Sequence, residues 1–163
     1  MTTLRVAVIA LSLSYVFGCG PADTEKTAQA VREIKDHVKN FEAVLDNDNP
    51  DGFVNMFTEN AIVTRPDSSV YEGTTAIEEF AQMLYANTDV EIELQSDRTL
   101  VYPAGTKALD RGSYHLTRKP SGEGEPVYED GYYRIFWHKQ ADGGWKIYKL
   151  NWTKESVESD EES

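Results

Sequence analysis

Val127 to Thr153 reads VYEDGYYRIFWHKQADGGWKIYKLNWT, and this stretch decides the fold. Two long strands, Val127 to Lys139 and Trp145 to Thr153, flank Ala141-Asp142-Gly143-Gly144, a strong hairpin signal. With Asp142-Gly143 as a two-residue turn, Trp137 pairs with Tyr148, Ile135 with Leu150 and Tyr133 with Trp152. The apolar set then faces the body of the protein. Arg134, His138, Lys149 and Asn151 face away. A bulge at Gly144 would reverse the parity of one strand. Tyr133, Trp137, Tyr148 and Trp152 thus either fill a core or line a pocket for a flat apolar ligand, oriented by phenol and indole groups.

Working back from the hairpin, Gly112 to Arg118 is another strand, with Tyr114 and Leu116 on one face. Val90, Ile92 and Leu94 alternate with Glu91 and Glu93, and the strand signal resumes at Leu100-Val101-Tyr102. Before Asn87 the period changes. Val31, Ile34, Val38, Phe41 and Leu45 recur every three or four residues, which predicts an amphipathic helix from Ala28. Asp46 to Asp51 stops it, and Asp48 or Asn49 can cap a short helix with Pro50 at its first position. Ala61 to Thr64 is β-like. Thr74 is the expected cap of a third helix bearing Ile77, Phe80, Ala81 and Leu84. Three helices followed by an antiparallel meander make an α+β pattern.

The N-terminus reads differently. Arg5 precedes an apolar run from Val6 to Phe17, too short for the roughly 20 residues of a membrane-spanning helix. It suits a secretory signal peptide over residues 1–18. The run ends at Cys19, the only cysteine in the chain, so an exported domain holds no internal disulfide. Val16-Phe17-Gly18-Cys19 resembles a bacterial lipobox, which makes Cys19 the expected acyl acceptor and residues 19–27 a tether. The expected location is the periplasmic side of the outer membrane or the cell surface, since Gly20, not an acid, follows Cys19. Residues 28–153 form the domain, and 154–163 an acidic tail.

A formal net charge of −12, from 16 basic and 28 acidic residues, argues against nucleic acid as a partner. It argues equally against electrostatic docking on anionic lipid, leaving the acyl group as the membrane attachment. His37, His115 and His138 are scattered without ligand spacing, so no metal is expected. No cofactor motif occurs.

Three blocks carry a family resemblance: Phe41-x-x-x-Leu45-Asp46-Asn47-Asp48 to Phe53, Met56 to Val63, and Tyr71-Glu72-Gly73-Thr74-x-Ala76-Ile77-x-x-Phe80. With the close at Gly131-Tyr132-Tyr133, Trp145 and Trp152, they resemble the nuclear transport factor 2-like superfamily, in its SnoaL-like and ketosteroid isomerase-like branch. The resemblance implies a cystatin-like cone: three helices packed on a curved antiparallel sheet around an apolar pocket. It also implies where isomerase machinery would fall. The helix-one tyrosine corresponds to Phe41, which has no hydroxyl, and the general base to Arg65, which cannot accept a proton. Asp130 lies close to the position of the protonated acid and is the one catalytic candidate. Steroid isomerisation by that mechanism is therefore not expected.

The expected function is binding of an apolar or aromatic small molecule by a lipid-anchored domain. Phe41, Arg65, Tyr133, Trp137, Tyr148 and Trp152 line the pocket, and Arg65 is placed to select a carboxylate or phosphate. The alternatives are a small-molecule enzyme of the same superfamily, of isomerase, dehydratase or hydrolase type, and a homodimeric interaction module using Tyr132 and Phe136 on the outer sheet face.

Overall fold

Ile34, Val38, Phe41 and Leu45 give α1 (Pro21–Asp46) a buried stripe at three- and four-residue spacing. Burying a side chain such as Phe41 contributes about 1.5–3 kcal/mol. The computed structural model describes residues 21–86 and 88–155. The signal segment, Cys19 and residues 156–163 lie outside the described residues. Helix α1 begins at Pro21 and not at Ala28, so the expected tether supplies its first turns. Pro21 suits a first helical turn, and Ala22, Glu25, Lys26 and Ala28 are good helix formers.

The remaining elements are α2 (Pro50–Asn55), β1 (Phe57–Thr64), β2 (Val70–Glu72), α3 (Gly73–Tyr85), β3 (Thr88–Val101), β4 (Lys107–Pro120), β5 (Val127–Lys139) and β6 (Trp145–Lys154). Asn49 caps α2, its side chain accepting from the Gly52 N–H at 2.8 Å. The cap of α3 differs from expectation. Glu72 stands at the N-cap without a side-chain bond, and Thr74 Oγ1 instead donates to the Glu59 carbonyl on β1 at 3.4 Å.

The six strands form one sheet in the order β2-β1-β6-β5-β4-β3. Only β1 and β6 run parallel among these neighbours. The β3–β4 and β5–β6 turns lie at one end of the long strands, the hairpin end. The β4–β5 loop and the termination of β6 lie at the other, the open end. Two glycines let the sheet bend tightly. A Cβ on Gly112 would sit 1.8 Å from the Gln95 carbonyl oxygen, and one on Gly131 would sit 2.7 Å from the Tyr114 ring.

Helix α1 crosses the inner face toward the edge strand β3. Glu42 accepts from the Leu94 N–H at 2.9 Å and Asp46 from the Ile92 N–H at 2.7 Å. These bonds satisfy donors that an edge strand otherwise leaves open. Nearer its start, Glu33 accepts from Trp145 Nε1 at 2.9 Å and Lys139 Nζ at 3.2 Å. The start of α1 therefore lies toward the hairpin end and its finish toward the open end.

The hairpin register agrees with the sequence in part. Tyr133 pairs with Trp152 and Ile135 with Leu150, but Trp137 pairs with Ile147. A register shift between Phe136 and Trp137 leaves Tyr148 as the extra residue. The turn is also wider than two residues, with Gln140 N–H bonded to the Gly144 carbonyl at 2.7 Å. Tyr148 is consequently turned to the outer face, where its ring stacks on His138 at 4.4 Å and 4°. Its expected place toward the helices is corrected by this bulge, which lies at Tyr148 and not at Gly144.

Candidate functional site

The interior is filled by aromatic side chains. Phe53 contacts Phe41, Phe57 and Phe80, and Phe80 meets Trp152 with ring centroids 6.0 Å apart. Phe41, Tyr133 and Trp137 are almost wholly buried, and Trp152 is 8% exposed. Phe41 and Tyr133 therefore belong to the packed core, and Trp152 reaches from it toward the open end.

Arg65 follows β1 at that end, its side chain 23% exposed. It pairs with Asp67 at 3.4 Å, and its guanidinium lies 5.8 Å from the Phe80 ring centroid. A cleft of about 150 Å³ opens between Arg65 and Arg118, floored by Phe80 and Leu84 and bordered by Met83 and Thr88. Arg118 contacts Glu129 at 3.7 Å, and Glu129 accepts from the Tyr114 hydroxyl at 2.8 Å. Burial, with the Glu129 bond, pushes the Tyr114 phenol well above its ordinary pKa. Arg118 Nε and Trp152 Nε1 are buried without a hydrogen-bond partner. Such orphans cost about 1–3 kcal/mol each unless something satisfies them.

Asp130 is not part of this cluster. Its side chain is 61% exposed on the outer face and pairs with His115 Nδ1 at 2.7 Å. Parity explains the exchange: Gly131, Tyr133, Ile135 and Trp137 face inward, so Glu129 does too and Asp130 does not. Glu129, one residue earlier, is the inward acid that sequence reasoning passed over. Arg118 was legible in the same way, sharing parity with Tyr114 and Leu116 on β4.

A second interior acid was also missed. Asp110 is fully buried and accepts from three hydroxyls. Ser96 and Thr99 donate to one oxygen at 2.7 and 2.6 Å, and Tyr133 donates to the other at 2.8 Å. The bulge between Ser96 and Arg98 lets Ser96 and Thr99, three apart, turn to the same side. Burial and the Asp110 charge hold the Tyr133 phenol far above its ordinary pKa. Asp110 does not line the cleft between Arg65 and Arg118, and with three donors it is a satisfied structural carboxylate. Starting β4 at Lys107 and not Gly112 would have placed it on the buried parity. Among the described residues no cluster of three or more His, Cys, Asp or Glu side chains has metal-binding geometry.

A curved sheet wrapped around one long helix, with a polar cleft at its open end, defines a nuclear transport factor 2-like fold. The chain belongs to the SnoaL-like domain family, whose model matches residues 26–151. A nuclear transport factor 2-like superfamily protein from Salmonella enterica serovar Typhimurium superposes with a TM-score of 0.72 at 19% identity, over 84% of this chain and 99% of that one. A ketosteroid isomerase-like protein from Erwinia carotovora atroseptica gives 0.69 at 14% identity, over 81% and 98%. A nuclear transport factor 2-like protein with a cystatin-like fold from Novosphingobium aromaticivorans gives 0.68 at 13%, over 85% and 90%. No curated protein sequence matches the chain significantly. Likenesses this distant establish the fold and leave the activity to the site itself.

Proposed function

We propose that the domain binds a small apolar or aromatic carboxylate at the open end of the cone, without transforming it, and that Cys19 anchors it to the membrane after export. The observation that carries the binding reading is the cleft between Arg65 and Arg118. Two guanidinium groups flank an apolar floor, and behind that floor Phe80 meets Trp152, whose buried indole N–H has no hydrogen-bond partner. Arginine suits a carboxylate because its planar donors match both oxygens. About 150 Å³ is less than the roughly 300 Å³ of a small drug-sized site, so the ligand is small or enters by one end only. Export rests on the run from Val6 to Phe17 and on Cys19 behind it.

Native mass spectrometry of the purified chain tests the binding. A co-purifying organic acid, lost in Arg65→Ala and in Arg118→Gln while both variants keep their melting temperature, supports the reading. A bare chain that also fails to bind added benzoate and short fatty acids overturns it. For the anchor, the intact mass of chain extracted from cell membranes should carry acyl groups that Cys19→Ser lacks.

The enzyme reading keeps one observation in its favour: Glu129, hydrogen-bonded to Tyr114, stands beside the same cleft. A recovered ligand chemically altered by the chain, and unaltered by Glu129→Gln, would favour it over simple binding. The dimer reading draws on Val127, Tyr128 and Tyr132, more than half exposed on β5.

A further inference from the structure

Neighbouring strands place three arginines in one row across the outer face. Arg98 on β3 is opposite Arg111 on β4, and Arg111 is opposite Arg134 on β5. All three are exposed. Like charges directly opposite one another destabilise a sheet, so the row carries a cost within the chain. The next row toward the hairpin end is Leu100, Leu109, Phe136 and Lys149, and the one after brings Lys107, His138 and Lys146 together. Among the described residues none of these six cations forms an ion pair. Asp97, the extra residue of the β3 bulge and the chain neighbour of Arg98, forms no ion pair among the described residues.

The hairpin-end half also carries a groove of about 400 Å³ lined by Tyr102, Lys107, Phe136, His138 and Tyr148. A net charge of −12 therefore averages over a segregated surface. The cations without an ion pair gather in this half, beside the rings of Tyr102 and Tyr148, as on proteins that rest at the headgroup level of a bilayer. Position adds to this. Helix α1 starts beyond Glu33, which bonds Lys139 and Trp145 at the hairpin end. Pro21 lies twelve residues before Glu33, about 18 Å along a helix axis. Pro21, the first described residue, thus lies at the same end as the cationic half.

We propose that the hairpin-end half of the outer sheet face is a docking surface for an anionic lipid bilayer, orienting the domain with its open-end cleft away from the membrane. The orientation rests on the membrane attachment of the N-terminus proposed above; the affinity for anionic headgroups does not. Six cations over one face suit an array of phosphates better than a single small anion.

The test uses the full chain with Cys19→Ser, so that no acyl group contributes. Co-sedimentation is compared on phosphatidylcholine vesicles and on phosphatidylcholine mixed with phosphatidylglycerol. Stronger binding to the anionic vesicles, released by salt, is expected. The variant Arg111→Gln/Arg134→Gln/Lys149→Gln should bind them roughly a hundredfold more weakly, with its melting temperature retained or slightly raised. Glu91→Gln/Glu93→Gln, in the open-end half, should lose nothing.

Equal binding to both vesicle types, or a triple variant that binds as the parent does, overturns the proposal. So does a triple variant that changes oligomeric mass and not vesicle affinity, which would assign the face to a second copy of the chain. Failure of the anchor reading is seen separately, as a missing acyl mass on wild-type Cys19. Anionic-vesicle binding that survives that result keeps the lipid surface and discards the anchor.

Discussion

The two halves of the outer sheet face are built from the same four strands and handle charge in opposite ways. At the open end His115 pairs with Asp130, Lys119 with Glu91, and the Tyr132 hydroxyl donates to Glu155 at 3.1 Å. At the hairpin end Arg98, Arg111 and Arg134 stand side by side with no acid between them. Directly beneath that row, on the inner face, Asp110 is sealed among three hydroxyls and is not available to pair outward. One half pairs its cations within the chain. The other leaves that pairing to something outside it, which is where an interaction surface belongs.

The largest effect expected from breaking this arrangement lies beneath the arginine row. Asp110→Ala strips Ser96, Thr99 and Tyr133 of their acceptor, and buried donors left unpaired cost about 1–3 kcal/mol each. A loss of roughly 3 kcal/mol or more is expected in urea unfolding, and a loss below about 1 kcal/mol would deny the network its role. Gly131→Ala probes the inner side of the open-end half. Its methyl would press on the Tyr114 ring and on the Thr153 carbonyl oxygen, for an expected cost of about 1–3 kcal/mol.

Smaller effects should differ in sign between the halves. Arg111→Gln relieves the like-charge row and should stabilise by a few tenths of a kcal/mol up to about 1 kcal/mol, fading as salt is added. Asp130→Asn removes a solvent-exposed pair and should destabilise by about 0–1 kcal/mol. The same sign for both, in melts at low salt, would erase the contrast.

The smallest effect is a titration. Burial, with help from Lys107, holds His138 below the ordinary histidine value of 6.5. Below that value the unfolded chain binds a proton that the folded chain resists. Stability from this group is therefore present at neutral pH and lost as pH falls below about 6.5. His138→Gln should flatten that acid slope, and Lys107→Gln should move the His138 midpoint upward in an NMR titration. An unmoved midpoint would separate Lys107 from the histidine. His37, lowered by burial against the opposing charges of Glu33 and Asp36, adds a slope of the same sign.

Much of this molecule was legible residue by residue. The period of three to four through Val31, Ile34, Val38, Phe41 and Leu45 requires a helix with one buried stripe. The period of two from Val90 onward requires strands, and Asn49-Pro50 marks a helix start. Inward parity on β5 follows from Tyr133, Ile135 and Trp137 alone. Each of these depends on interactions within a few residues of chain, so local sequence is enough to determine it.

Tertiary structure decided what depends on partners distant in sequence. The bulge that turns Tyr148 outward is a property of the pairing between β5 and β6, and no residue in either strand announces it. Glu129 is inward by the same legible parity, and what the register decided is that it meets Tyr114 and Arg118. Asp110 is tolerable in the core only because a second bulge, 14 residues earlier at Ser96, brings two hydroxyls to it. The arginine row is invisible in a linear reading, since Arg98, Arg111 and Arg134 are well separated along the chain. Net charge could not reveal it either, because a sum discards position. Composition and periodicity fix what each segment becomes, and register fixes which charges meet.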